Sequence, residues 1–249
     1  MSTDVFNIGD GWTEVIKDSA ENQELFDIYK SGLPQVGELF DEFVTKNNLP
    51  KVEVADFGGA IGDVTDYIKK NTKADAKINV TCFDVHKDLL DQNNSAGTKV
   101  QLDLLELSET ERFDLGIMRF VLNYNSKEDQ LKILGNIRNS LKPNSIFINY
   151  WCGVSGKAHQ EKFQALFRNG KVNQKFHRPN SYWTTWEENK EIFEKAGFDV
   201  ETKYEFTVPI RSLYKIRYRL TEEENQAVLD FLGEHAFISF VIFATYKKS

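Results

Sequence analysis

Cysteine is nearly missing from this chain: Cys82 and Cys152 are the only two in 249 residues. Each sits in an apolar, strand-like run, and no C-x-x-C spacing exists. Neither a disulfide framework nor a cysteine metal site is indicated, and no metal is expected. Free buried thiols fit a reducing compartment, so a cytoplasmic setting is expected. Long apolar runs are missing as well. The longest, residues 236–246, is too short to span a bilayer and contains Ser239. The start, Met1-Ser2-Thr3-Asp4-Val5, has neither the cationic segment nor the apolar core of a signal peptide. Basic charge is in deficit, with 31 Lys and Arg against 38 Asp and Glu and a formal net charge of -7. Such a chain repels a phosphate backbone on average. The candidate basic patch, Lys203 with Arg211, Lys215, Arg217 and Arg219, alternates with apolar residues and runs into Glu222, Glu223 and Glu224, which reads as a solvated face. Neither a nucleic-acid nor a membrane partner is expected.

What is present is an alternation of short apolar runs and helical patterns. Residues 12–48 read as helices, with Leu25, Ile28, Tyr29, Leu33, Val36, Leu39, Phe40 and Phe43 near helical spacing and Pro34 as an expected break or kink. Strands are then predicted at 52–56, 78–84, 98–102, 113–121 and 145–151. Helices are predicted between them at 62–71, 86–93 and 126–141, the last with Ser126 as N-cap and a stop at Lys142-Pro143-Asn144. Beyond residue 151 come helices at 157–168, 185–196 and 221–233, and strands at 198–208 and 236–246. Thr221 followed by Glu224 gives the last helix a capping-box start. This rhythm predicts an α/β fold with a parallel sheet and helices on both faces. Without repeats or low-complexity linkers, residues 1–249 read as one unit: a helical N-terminal cap (1–49), a ligand-binding core (50–151), core elements with cap insertions (152–235) and a last strand (236–249). In such sheets ligands bind outside the carboxyl ends of the strands. That places Asp56, Asp84, Asp103 and Arg119-Phe120 along one edge.

The densest signal is Val52-Glu53-Val54-Ala55-Asp56-Phe57-Gly58-Gly59-Ala60-Ile61-Gly62-Asp63. An apolar strand meets a carboxylate, then a glycine turn, then a helix start. Glycines in such a turn permit close approach of backbone to a nucleotide-like ligand. A dinucleotide fingerprint read back from Gly62 needs glycine where Phe57 stands, which argues against a nicotinamide-dependent dehydrogenase. The register acid-x-Gly-x-Gly-x-Gly reads Asp56, Gly58, Ala60, Gly62 and departs only at Ala60. Asp84 lies 22 residues after Gly62 at the end of the next strand, where a carboxylate can accept two ribose hydroxyls. Asp103-Leu104 ends the third strand. Met118-Arg119-Phe120-Val121-Leu122-Asn123-Tyr124 ends the fourth. Together these resemble the class I S-adenosylmethionine-dependent methyltransferases of small-molecule type, over residues 50–151 and more loosely in the final strands.

The resemblance implies a Rossmann-like doubly wound sheet, mostly parallel with an antiparallel last strand, and S-adenosyl-L-methionine as cofactor. Its implied cofactor residues are Asp56, Gly58, Gly59, Gly62, Asp84, Val85, Asp103, Leu104, Arg119 and Phe120. Asp103 would take the adenine amino group, with Leu104 against the ring; an N-cap for the turn at Leu105-Glu106 is the alternative. Arg119 would pair with a strand-end acid or the cofactor carboxylate, or anchor the helix that follows. Asn123-Tyr124-Asn125-Ser126 lacks the prolines of the DNA amino-methyltransferase motif. Acceptor-pocket candidates are Asn123, Tyr124, Trp151, Tyr182 and Trp183, within a wider aromatic set of Trp12, Tyr29, Phe176, Trp186, Tyr204, Tyr214 and Tyr218. Tyr182-Trp183 follow a polar run that reads as a lid or a surface loop. Among base candidates His159, His177 and His235, His159 comes first, with Tyr29 beside it as a second catalytic candidate. The expected activity is methyl transfer to O or N of a small metabolite, by a monomer or homodimer. A protein or peptide acceptor and a non-catalytic cofactor-binding regulator are the other readings.

Overall fold

The computed structural model describes residues 30–209, 214–215, 218–233 and 237–247. Seven strands form one sheet: β1 (Lys51–Phe57), β2 (Lys77–Asp84), β3 (Thr98–Gln101), β4 (Phe113–Arg119), β5 (Leu141–Val154), β6 (Phe198–Pro209) and β7 (Phe237–Lys247). Their order is β3-β2-β1-β4-β5-β7-β6. The β1–β2, β1–β4, β2–β3 and β4–β5 pairs are parallel. β7 runs antiparallel to both β5 and β6. The strand order reverses between β1 and β4, and that switch point opens a crevice at the carboxyl ends.

Two apolar layers cover the sheet. One packs against α1 (Leu33–Lys46), α2 (Asp63–Asn71), α5 (Lys157–Phe167) and α7 (Glu222–Leu232) through Phe40, Ile68, Phe163 and Val228. The other packs against α4 (Lys127–Ser140) and α6 (Trp186–Lys195) through Ile133, Ile137 and Phe193. A short helix, α3 (Lys87–Gln92), follows β2. The caps are local and explicable. Ser126 and Thr185 each accept the N3 backbone N–H of their helices. Thr221 and Glu224 form the full capping box, a device worth about 1 kcal/mol.

Three elements differ from the sequence expectation. Pro34 does not break α1, because it falls in the first turn, where a missing N–H costs nothing. β4 stops at Arg119 rather than at 121, since Phe120 adopts φ 56 and leaves the extended region. β5 begins at Leu141 rather than 145. Leu141 pairs with Phe113, and the register then shifts, with Asn144 at φ 61, so Lys142-Pro143-Asn144 forms an irregularity inside the strand and not a separate stop. Of the basic patch, Arg211 and Arg217 lie outside the described residues, as do Trp12, Tyr29 and His235. Lys203 pairs with Glu201, and Lys215 with Glu222.

Candidate active site

Strand parity assembles the site. Side chains alternate between the faces of a strand. Val52 and Val54 belong to the layer under α1 and α2, while Ala55 and Phe57 belong to the opposite one. Asp56 therefore shares the face of Val54. By the same count Asp84 shares the face of Val80, and Arg119 that of Leu115 and Ile117. Because β2, β1 and β4 are parallel neighbours, their carboxyl ends bring these three charged groups to one edge. They line a single cleft together with Asp63, His86, Asp103, Leu104, Phe120, Val121, Tyr124 and Asn125, around roughly 1140 Å³ of empty space, open solvent included.

The glycine turn forms the floor of this cleft, and each glycine answers to a protein neighbour. Gly58, at φ 70, approaches Val121 so closely that a Cβ would lie 2.3 Å from its methyl group. A Cβ on Gly59 would lie 2.3 Å from the Asp56 carboxyl carbon, so the acid is folded beneath the turn. Gly62, at φ 85, leaves room for Ser95 and Asn93. The sequence explanation, close approach of a ligand, is thus joined by an intramolecular one. Gly62 then opens α2 without a side-chain cap, which leaves the positive end of the helix dipole and its first N–H groups at the cleft. Gly62 itself is not among the cleft-lining residues.

Charge in the cleft is dominated by carboxylates. Burial pushes the Asp56 carboxyl up from 3.8 to about 7, against the Arg119 guanidinium and the Thr65 hydroxyl, which pull it down. Asp84 is also raised by burial, opposed by the backbone N–H groups of His86 and Ala60. Those amides reach its two oxygens at 2.8 and 3.0 Å, so the side chain is fixed in place. Arg119 donates to Asp63 at 3.1 Å. Of the two readings for Asp103, the cap is present: Leu105 N donates to it at 2.9 Å. The residue lines the cleft as well.

The cofactor candidates Asp56, Gly58, Gly59, Asp84, Val85, Asp103, Leu104, Arg119 and Phe120 come together around this cleft. The acceptor candidates scatter. Tyr124 lines the cleft. Asn123 is buried, and its carbonyl accepts from Ser181 Oγ at 2.6 Å and Tyr182 N at 3.2 Å. Tyr182 is half-buried and donates its hydroxyl to Glu188 at 2.8 Å. Trp151 and Trp183 occupy buried, packed positions. Trp151 packs on Phe243 at 5.8 Å, and Trp183 lies against Phe163 and Phe167 at 5.2 and 4.8 Å. The first catalytic candidate, His159, sits on α5 beside Ser155 Oγ, away from the cleft. His177 is exposed and also outside the cleft lining. Tyr29, the other catalytic candidate, lies outside the described residues. The sequence reading passed over His86, Asp63, Asn93, Ser95 and Thr65. The available signal was the Asn93-Asn94-Ser95 cluster after α3, which marks a turn that supports another backbone.

Residues 55–147 match the family model described as a methyltransferase domain. No curated protein resembles the chain closely enough in sequence to count as a relative. Solved structures share the fold at low identity. The YcgJ protein from Bacillus subtilis superposes with a TM-score of 0.66 at 11% identity, covering 86% of this chain and 98% of that one. The arsenic(III) S-adenosylmethionine methyltransferase from Chlamydomonas reinhardtii gives 0.58 at 16% identity, over 79% of this chain and 64% of that one. Phosphoethanolamine N-methyltransferase 2 from Haemonchus contortus, in complex with phosphomonomethylethanolamine and S-adenosylhomocysteine, gives 0.55 at 15% identity, over 84% and 52%. At these identities the likeness is one of fold.

Proposed function

We infer that this chain, whose residues 55–147 match a methyltransferase domain, is an S-adenosylmethionine-dependent methyltransferase that passes the methyl group to an oxygen or nitrogen of a small metabolite. The observation that carries the reading is the convergence of Asp56, Asp84, Asp103 and Arg119 beside the Gly58-Gly59 turn in one cleft. The residues fit the cofactor from end to end. Asp84 is held by two backbone N–H groups and keeps further lone pairs to accept ribose hydroxyls. Asp103 and Leu104 offer a carboxylate and an apolar surface to a purine. At the other end, Asp63 and Arg119 match the opposite charges of an amino-acid group, and the start of α2 favours its carboxylate.

When bound, S-adenosylmethionine supplies a methyl group already activated on a sulfonium. The protein's task is then orientation and exclusion of water. Effective molarities for well-aligned partners reach about 10⁵–10⁸ M. Phe120, Val121 and Tyr124 belong to the uncharged part of the lining. An aromatic, dry wall suits a reaction in which positive charge disperses. His86 lines the cleft and replaces His159 as the group to test for proton removal. The buried cysteines support a cytoplasmic setting.

The test has two stages. Calorimetry should first give cofactor binding. Methyl-labelled cofactor incubated with metabolite extract should then label small molecules. Label recovered only in protein would reject the small-molecule reading in favour of a protein or peptide acceptor.

A further inference from the structure

We propose that Asn93 is a positioning residue for the cofactor turn, holding Ala60 in a left-handed conformation that alanine resists; this rests on the cofactor reading above. Ala60 sits at φ 45, where the Cβ of an L-residue crowds the backbone. Such a conformation persists only when its surroundings over-determine it. Here both sides of the residue are bound. Its N–H donates to Asp84 Oδ2 at 3.0 Å, and its carbonyl accepts from Asn93 Nδ2 at 3.2 Å.

Asn93 is fully buried, and its amide can face only one way. Oδ1 receives the backbone N–H groups of Ser95 and Ala96, each at 3.0 Å, and the Ser95 hydroxyl at 2.9 Å. The nitrogen must therefore face Ala60. Ser95 and Thr65 extend the brace. Their hydroxyls lie 2.6 Å apart, and both reach the Gly62 carbonyl at 3.2 Å. None of these three residues lines the cleft, so they act on the ligand through the turn. The register places a glycine's role on Ala60, and Asn93 supplies by hydrogen bonding what the missing glycine would give by freedom.

The test is a double-mutant cycle between Asn93→Ala and Ala60→Gly, with two readouts. By calorimetry against S-adenosylhomocysteine, Asn93→Ala should weaken affinity about tenfold in the natural background, but about threefold or less beside Ala60→Gly, because glycine adopts the conformation unaided. In ligand-free protein, backbone hydrogen exchange across residues 57–63 should rise about tenfold in Asn93→Ala and largely recover in the double variant. Thermal melting shows that each variant is folded before it is scored. An Asn93→Ala effect that is absent, or equal in both backgrounds, overturns the proposal. Natural protein that binds no cofactor while its exchange pattern behaves as stated overturns the cofactor reading and leaves the Asn93–Ala60 coupling standing.

Discussion

The two halves of the sheet treat their conspicuous residues differently. Over β3, β2, β1 and β4, the carboxylates and the arginine sit at strand ends, and their side chains reach a shared cleft. Over β5, β7 and β6, the tryptophans that looked like pocket residues are consumed by packing. Trp151 and Trp186 flank Phe243, and Trp183 fills the space beside Phe163 and Phe167. A buried charge is costly, so an acid at a strand end must find a partner or a ligand. A tryptophan is stabilised wherever apolar area can be covered, and its single N–H is a smaller demand than a charge: that of Trp183 is buried without a hydrogen-bond partner among the described residues. The first kind of residue therefore reports function, and the second mostly reports core.

The sharpest way to break this contrast is Trp183→Ala. The ring is 3% exposed, and its removal should cost about 3–5 kcal/mol of stability in denaturant unfolding. Cofactor affinity in the folded variant should be unaltered. A selective loss of binding would return Trp183 to the site. Next comes Asp84→Ala, which should weaken cofactor binding by about 1.5–3 kcal/mol, the scale of lost charge-assisted hydrogen bonds. Unchanged affinity in calorimetry would remove the ribose assignment.

The third test concerns pH. Asp56 titrates at about 7 in the fold, from an ordinary value of 3.8. Between these values the folded protein holds a proton that the unfolded chain has released. This group's contribution to stability is thus full below the ordinary carboxylate range and is lost as pH rises through about 7. The groups facing it are Arg119 and Thr65, which favour its charged form, and Asp84 and Asp63, which oppose it. Asp56→Asn should flatten the stability profile between about pH 4 and 7, with Asp84, also raised, keeping part of the slope. A profile identical to that of the natural protein would show that Asp56 is not the titrating group.

Much of the parallel half was legible beforehand. Apolar runs with a charged residue at or near the end locate β1, β2 and β4, and the short connections leave few arrangements for them. Asp56, Asp84, Asp103 and Arg119 could be placed on one edge from position alone. Asp63 was quoted within the glycine stretch, yet nothing in the linear pattern pairs it with Arg119, 56 residues away. Asn93 read as the end of a short helix. Its contact with Ala60 spans 33 residues and depends on how α3 returns under the turn. The bulge that lets β5 start at Leu141 was hidden by Pro143, which reads as a terminator until its strand partner is known.

The kind of ligand came from a family resemblance; composition, periodicity and the spacing of glycines and acids were enough to determine the layered α/β class and the sheet edge that holds the charged residues. These follow from local rules: alternation along a strand, the sterics of glycine, and the cost of burying charge. Which aromatics are core, how Arg119 is paired, and what holds Ala60 against its preference were decided only by tertiary structure. Each depends on contacts between distant segments, and such contacts exist only once the sheet has brought those segments together.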